Sequence, residues 1–329
     1  MYEIITLADF KRFEKVTSNN SDSIMNPIID EVTQIIEGYC RRKFITRQFT
    51  EFYNGNLLKK LSLNQYPIYC IYDDSETPEE PSNITVYDDV DREFTSSELI
   101  DAGDLIIYAD EGAIALYNDE YKFYNGVQNV KVVYYAGLSR FNVIDEQNNY
   151  LDIAEDGADV AIEITPAVVR DTDYLGFNAE DLATAIQTAL NASSSLSNTY
   201  SVSYSHNTQK FTISANANFT LKNYSGSNSA KSIASLIGFS TTADGSQGTS
   251  DTSDNSVNGL PDDIRAASNL IASFLWETSK NGKFNILESK KTLAQGMGTM
   301  DLIIDRLPPV AINILERYRR AYLWVQIRK

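Results

Sequence analysis

Histidine and cysteine are scarce in this chain, whose 329 residues include one histidine, His206, and two cysteines, Cys40 and Cys70. A single histidine leaves the usual zinc sites without a ligand set, and any Ser-His-Asp triad would have to use it. The run His206-Asn207-Thr208 predicts a solvent-exposed hairpin turn. The cysteines lie far apart without CxxC spacing, so we expect small buried thiols and neither a disulfide nor a ligand pair.

The motifs of common enzymes are missing as well. The sequence has no G-x-x-x-x-G-K-[ST], no G-x-G-x-x-G, and no nucleophile elbow near His206. Paired carboxylates of the glycosidase type are the remaining catalytic chemistry, with Asp88-Asp89 and Asp101/Asp104 as candidates. No pair stands out, because acidic residues are abundant throughout. We therefore expect a non-enzymatic protein with no catalytic residues, no cofactor and no metal site.

Long apolar runs are absent too. No run approaches the roughly 20 residues that a membrane span needs. The N-terminus, Met1-Tyr2-Glu3-Ile4-Ile5-Thr6, lacks the basic region and apolar block of a signal peptide. We therefore expect no membrane contact, and synthesis and use in the cytoplasm.

Basic residues are in the minority, with 28 Lys/Arg against 45 Asp/Glu and a net charge of −17. Such an acidic chain repels the DNA backbone, which argues against sequence-specific DNA binding. An acidic lining would nevertheless suit a channel through which DNA slides without being held. The plainer alternative is a set of solvated carboxylates that keep the protein soluble.

The C-terminal segment reverses this charge bias. Residues 306–329 hold six basic residues against Glu316 alone, a local net charge of +5. Cations near the end of a helix suit the helix dipole, which is the simpler explanation. Aromatic residues beside arginines also anchor protein interfaces, so the segment is a candidate docking arm. Binding of nucleic acid by the same arginines is a further alternative.

Hydrophobic periodicity divides the chain into four parts. Residues 1–43 predict two helices, at 6–15 and 23–42, and residues 44–140 predict short β-strands with a hairpin turn at Asn54-Gly55. Residues 260–329 return to helix. The sequence thus predicts an α+β fold, in which the N- and C-terminal helices form a helical bundle and residues 44–140 form a small β-sandwich or barrel.

Residues 141–259 differ in composition and read as an inserted β/α domain. They are rich in Ser, Asn and Thr, and hold 14 Asp/Glu against four Lys/Arg, a local net charge of −10. The predicted elements are a helix at 180–191 capped by Asn178, strands at 200–205, 210–214 and 219–223, and a short helix at 229–237. Thr241–Gly259 is rich in Ser, Thr, Asp and Gly, which predicts a flexible linker.

The last predicted helix begins after Pro308-Pro309 and runs towards Lys329. Its apolar stripe is expected to contain Val310, Ile314, Tyr318, Tyr322 and Val325.

Several passages together resemble the head-tail connector, or adaptor, proteins of tailed bacteriophages. Leu7-Ala8-Asp9-Phe10, then Pro27-Ile28-Ile29-Asp30-Glu31-Val32, then Ile35 through Gly38-Tyr39-Cys40-Arg41-Arg42-Lys43-Phe44 resemble the opening helices and first strand of that family. Tyr66-Pro67-Ile68, Val130 through Gly137, and Leu260-Pro261-Asp262-Asp263-Ile264 are similar to its later strands and helix. The resemblance covers roughly residues 1–140 and 260–329, and the insertion at 141–259 departs from it.

The resemblance implies a structural virion protein at the head-tail interface, the viral neck, assembled in the host cytoplasm. It implies a homo-oligomeric ring, a dodecamer, that binds the portal protein on one side and tail or neck proteins on the other. Genomic DNA would pass through the ring during ejection without sequence-specific binding. By the same resemblance, a portal-docking role is expected for Arg317, Tyr318, Arg319, Arg320, Tyr322, Trp324 and Arg328.

A second hypothesis is another tail, baseplate or fibre-attachment protein, whose inserted domain binds glycan or protein. Tyr200, Tyr204 and Tyr224 in the Ser/Asn-rich insertion motivate it, although such residues more often lie on a sheet surface. A glycosidase is the third hypothesis.

Overall fold

The computed structural model describes most of the chain. The described residues are 2–55, 57–70, 72–73, 80–81, 83–117, 122–155, 157, 159–166, 168–169, 173–174, 176–280 and 307–319. Within them the protein is mixed α+β, with five α-helices and several antiparallel sheets. Two compact units are present: a first unit of Met1–Phe44 with Leu260–Lys329, and a second unit of Ile45–Gly259. No helix in the described ranges has the length and hydropathy needed to cross a bilayer.

The first unit is helical. Its helices are α1 (Leu7–Phe13), α2 (Asp22–Cys40), α4 (Asp262–Lys280) and α5 (Pro309–Glu316). A Thr6–Asp9 capping box starts α1, since each side chain accepts from the other's backbone N–H. The apolar positions of α2 recur every three to four residues, and this stripe packs against α4 and α5.

The second unit combines strands with one α-helix. Its strands are β1 (Arg47–Gly55), β2 (Lys60–Ser62), β3 (Ile68–Tyr69), β4 (Tyr72–Asp73), β5 (Glu80–Pro81), β6 (Ile84–Asp88), β7 (Leu105–Tyr108), β8 (Ala113–Leu116), β9 (Gly126–Ala136), β10 (Tyr150–Ala154), β11 (Asp159–Glu163), β12 (Val168–Val169), β13 (Asp173–Tyr174), β14 (Tyr200–Ser205), β15 (Lys210–Leu221) and β16 (Gly248–Thr252). The helix is α3 (Ala179–Ala192).

The second unit holds two hydrophobic cores. In the first, β9 is central and pairs with β1, β3 and β6, and a further sheet runs β2-β8-β7. In the second, α3 covers a sheet of order β11-β10-β15-β14, and β16 also pairs with β15. The second core lies entirely within residues 141–259.

A partly buried polar cluster links the two cores. The Tyr69 hydroxyl of β3 donates to Asp181 Oδ2 of α3 at 2.8 Å and accepts from Asn178 N at 3.3 Å. The Arg140 guanidinium lies 4.5 Å from the centre of the Tyr69 ring. Nearby, Arg140 N donates to Gly259 O at 2.8 Å, so residues 141–258 leave and rejoin the chain at one point.

The predicted linker at Thr241–Gly259 is wrong. Residues 248–252 form β16, and the Thr212–Thr252 hydroxyls lie 3.0 Å apart across the strand pair. Ser253 and Asn258 are buried. This segment is ordered because its polar side chains pair with another polar strand, which composition does not reveal.

Three local predictions also need correction. Asn54-Gly55 lies within β1, which continues along β9 to the Gly55–Gly126 pair, and so is not a hairpin turn. The predicted helix at 229–237 is two 3₁₀ turns, Ser229–Lys231 and Ile233–Ser235. The strands predicted at 210–214 and 219–223 are the single long strand β15.

The C-terminal helix was predicted to run from Pro309 towards Lys329, but α5 ends at Glu316. Its buried positions are Ala311 and Leu315, whereas Val310, expected in the apolar stripe, is 62% exposed. Tyr322 and Val325, also expected there, lie outside the described residues.

Candidate docking surface

Helix α5 and the turn that follows it place the first three of the predicted docking residues. Cys40 Sγ donates to Leu315 O at 3.6 Å, and the Tyr39 hydroxyl donates to the Glu316 carboxylate. The end of α5 is therefore tied to the end of α2, since both contacts involve the last turn of each helix. We call this region, formed by residues 39–44 and 315–319, the basic end of the first unit.

The Tyr318 side chain contacts residues of its own chain. Its hydroxyl lies 2.8 Å from Asp263 Oδ1 and 3.0 Å from Oδ2, and donates to this carboxylate. Its ring packs edge-on against Phe44 at 6.2 Å, and its carbonyl accepts from Arg42 Nη1 at 3.4 Å. Burial, with the bond to Asp263, raises the pKa of Tyr318 to about 12. Tyr318 thus anchors the chain where the sequence suggested a contact with a partner.

Arg317 and Arg319 remain at the surface. The Arg317 side chain is 65% exposed, and its Nη2 lies 3.5 Å from Asp263 Oδ2. Arg319 lies 3.0 Å from Glu316, and its guanidinium sits 4.9 Å from the centre of the Tyr39 ring. Exposed ion pairs contribute only about 0–1 kcal/mol. Both guanidiniums can therefore exchange these partners for groups of another molecule at little energetic cost.

The fold adds basic residues that sequence reasoning did not connect with this segment. Arg41, Arg42 and Lys43 follow α2 and lie at the same end as residues 317–319. Lys43 pairs with Glu37, and Arg42 lies over the Phe44 ring at 6.0 Å. The sequence predicted that the terminal helices pack together, but it gave no signal that these two basic segments meet, because about 275 residues separate them.

The other predicted docking residues lie outside the described residues. These are Arg320, Tyr322, Trp324 and Arg328.

Two of the acidic residues considered as glycosidase candidates, Asp89 and Asp101, stabilise local turns. Asp89 accepts from the backbone N–H groups of Asp91, Glu93 and Phe94 at 2.6–2.8 Å, and Asp101 accepts from Gly103 N at 3.0 Å. These carboxylates therefore hold turns.

His206 lies in the predicted turn between β14 and β15, but its side chain is only 25% exposed. It contacts Glu180 and the edge of the Tyr204 ring. Among the described residues, no group of three or more His, Cys, Asp or Glu side chains is placed to hold a metal ion.

The tyrosines that motivated the glycan hypothesis do not form a shared surface. Tyr200 is only 2% exposed and donates to Glu155 at 2.7 Å. The Tyr204 hydroxyl donates to Val257 O at 2.7 Å, whereas Tyr224 is 61% exposed. The insertion carries a pocket of about 400 Å³ instead. We call it the loop pocket; its polar side chains include Ser240, Thr241, Thr242, Asp254 and Asn255.

Comparison with known proteins finds no relative: no family model matches the chain, and no curated protein matches it significantly.

Proposed function

We propose that this chain is a non-enzymatic structural protein of a tailed-phage virion, a head-tail adaptor. Copies form a ring in the neck that binds the portal protein and connects it to tail components, with genomic DNA passing through the channel. In this proposal the terminal helices form a bundle, and the rest of the chain comprises a β-sandwich or barrel and an inserted β/α domain. The resemblance of residues 1–140 and 260–329 to connector proteins supports the proposal.

One structural observation carries it furthest. The chain ends share one compact unit, and Tyr318 is fixed by Asp263 and Phe44 where the chain leaves α5. Tyr318 therefore fixes the position of the last described residues, 317–319, from which a docking arm would continue. Exposed Arg317 and Arg319 stand at the start of that arm, and the sequence continues with Arg320, Tyr322, Trp324 and Arg328.

The test is binding to portal rings encoded by the same genome, measured by co-sedimentation. We expect deletion of residues 320–329, or the double reversal Arg317→Glu/Arg319→Glu, to weaken binding at least tenfold while the protein stays folded. Deletion from 307 onward is a poorer test, because it also removes buried Leu307, Ala311 and Leu315. Lys122→Glu, a reversal at an exposed residue of the second unit, is the matched control.

Normal portal binding by both the deletion and the double reversal would refute the docking role. Negative-stain images of the purified protein, or of virion necks, test the ring itself by its rotational symmetry.

The loop pocket favours a second candidate: a baseplate or fibre-attachment protein whose insertion binds a glycan or another protein. Failure to bind the portal, together with binding through the insertion, would favour this alternative.

A further inference from the structure

The loop pocket lies between two segments that are held in place by direct hydrogen bonds. Ser240 N donates to Asp254 Oδ2 at 2.8 Å, and Asn255 N donates to Gly238 O at 2.9 Å. Thr242 N donates to Ser240 Oγ at 3.2 Å. Because the two walls are bonded to each other and to themselves, the pocket is formed before any ligand arrives, which reduces the entropy lost on binding.

Glycine allows the two walls to approach this closely. Gly238 has a φ of +82°, and a Cβ at this position would lie 2.4 Å from Asn255 O. A further hydrogen bond fixes the lining, because the Tyr204 hydroxyl donates to the carbonyl oxygen of Val257, which also lines the pocket.

The chemistry of the lining limits the ligand. Its polar side chains are hydroxyls, one amide and one carboxylate, and no lysine or arginine contributes among the described residues. The Asp254 carboxylate, within a segment of net charge −10, disfavours anions; Lys210 Nζ, which donates to the Asp254 carbonyl oxygen at 2.9 Å, offsets only one of these charges. An apolar ligand is disfavoured as well, because Phe239 is only 4% exposed and presents little ring surface.

A neutral ligand rich in hydroxyls fits these limits. Each sugar hydroxyl both donates and accepts, so it can pair with a carboxylate, an amide and a neighbouring hydroxyl in turn. A volume of about 400 Å³ lies at the lower end of the usual range for ligand pockets, roughly 300–1,000 Å³, and suits one or two sugar rings. We propose that the loop pocket binds a neutral mono- or disaccharide, with Asp254 and Asn255 as its principal hydrogen-bonding side chains.

This proposal goes beyond portal docking and does not depend on it. It also moves the glycan hypothesis from the three tyrosines to the loops at 238–242 and 254–257. Because the described residues that line the pocket include no exposed aromatic ring for stacking, binding is expected to be weak, with a Kd on the order of 1 mM.

The experiment uses the full chain and saturation-transfer NMR with unlabelled sugars. The probes are glucose, galactose, N-acetylglucosamine, maltose and lactose, with glucuronate and sialic acid as acidic counterparts. We expect one or more neutral sugars to bind and the acidic sugars to bind more weakly. Asp254→Asn should weaken binding about tenfold or more, because hydrogen bonds to a charged carboxylate are replaced by weaker ones to a neutral amide.

The variants are chosen so that the fold survives. An asparagine at 254 still offers an oxygen to Ser240 N, and Thr242→Val keeps the side-chain shape while removing one hydroxyl. Asp159→Asn, at an exposed carboxylate of β11, is the matched control and should bind sugars as the unaltered protein does. Unchanged melting temperatures in the variants establish that folding is intact.

Three results would overturn the proposal. The first is that no neutral sugar binds at tens of millimolar, and the second is that Asp254→Asn and Thr242→Val both bind sugars as well as the unaltered protein does. The third is a preference for the acidic sugars. Loss of binding in the Asp159→Asn control to the same degree would also overturn it. No portal protein is present in this experiment, so its failure is distinguishable from failure of the adaptor proposal.

Discussion

Tyr69→Phe tests the link between the two cores of the second unit. The substitution removes one oxygen from a fully buried ring and creates almost no cavity. The Asp181 carboxylate loses a hydrogen-bond donor, and the backbone N–H of Asn178 loses its acceptor. Asn178 is the N-cap residue of α3. A hydrogen bond to a charged group contributes about 1.5–3 kcal/mol, and Asp181 is only partly buried. We therefore expect the free energy of unfolding at pH 7 to fall by about 2 kcal/mol.

The loss should depend on pH in a defined direction. Burial raises the pKa of Asp181 above its ordinary value, and the hydrogen bond from Tyr69 opposes that rise. The folded state therefore holds this proton more tightly than the unfolded chain, and stability declines as the pH rises through the folded-state pKa. Removing the Tyr69 hydroxyl raises that pKa further. The difference between variant and unaltered protein should thus be largest at neutral pH and smaller near pH 4.

Urea denaturation from pH 4 to pH 8 measures this difference, and hydrogen exchange at the Asn178 amide reports the local effect. Tyr117→Phe, at a side chain that is 72% exposed, is the control and should change stability by less than about 0.5 kcal/mol. In an Asp181→Asn background the Tyr69→Phe loss should shrink and lose its pH dependence. A loss of equal size at every pH would refute the role given to the Asp181 charge.

Other predictions concern the basic end, the loop pocket and the thiols. Arg317→Ala should change the free energy of unfolding by less than about 0.5 kcal/mol, whereas Tyr318→Ala should lower it by about 1–3 kcal/mol; equal effects in urea denaturation would contradict the anchoring role. Gly238→Ala places a Cβ against Asn255 O at positive φ, so we expect a loss of about 1–3 kcal/mol in the same assay; unchanged stability would mean that the loops separate freely. Burial raises the pKa of the Cys40 thiol to about 12, so maleimide at pH 7.5 should label it only after unfolding; rapid labelling of the folded protein would show that the end of α2 is open.

Where the structural signals are local, the sequence was informative. Asn178 was expected to cap a helix with apolar residues at 182, 186 and 190, and α3 begins at Ala179 with the Asn178 side chain accepting from Asp181 N at 2.8 Å. The strand predicted at 200–205 is β14. A mixed α+β fold is likewise confirmed. Caps, turns and periodic apolar positions act within a few residues, so they are readable from a single chain.

Long-range partners were not readable. Strand β16 has no alternation of apolar and polar residues from which a strand could be predicted. It is held instead by hydroxyl pairs with Thr212 and Ser214 of β15. The contact between the Tyr318 hydroxyl and Asp263, 55 positions earlier in the chain, could not be predicted from the sequence. Arg41 and Lys43 belong to the candidate surface because α2 packs against α5, and this contact could not be predicted from the residues around them. In each case the deciding contact lies on another element and leaves no pattern of its own.

The bond between Arg140 N and Gly259 O has an evolutionary consequence. Arg140 and Gly259, the residues on either side of 141–258, are joined by this 2.8 Å hydrogen bond. A Cβ on Gly259 would lie 2.7 Å from Arg140 O, so the two backbones are in direct contact. A gene segment that codes for such a stretch can be acquired or discarded as one cassette, because closing a loop becomes only slowly more unfavourable with its length.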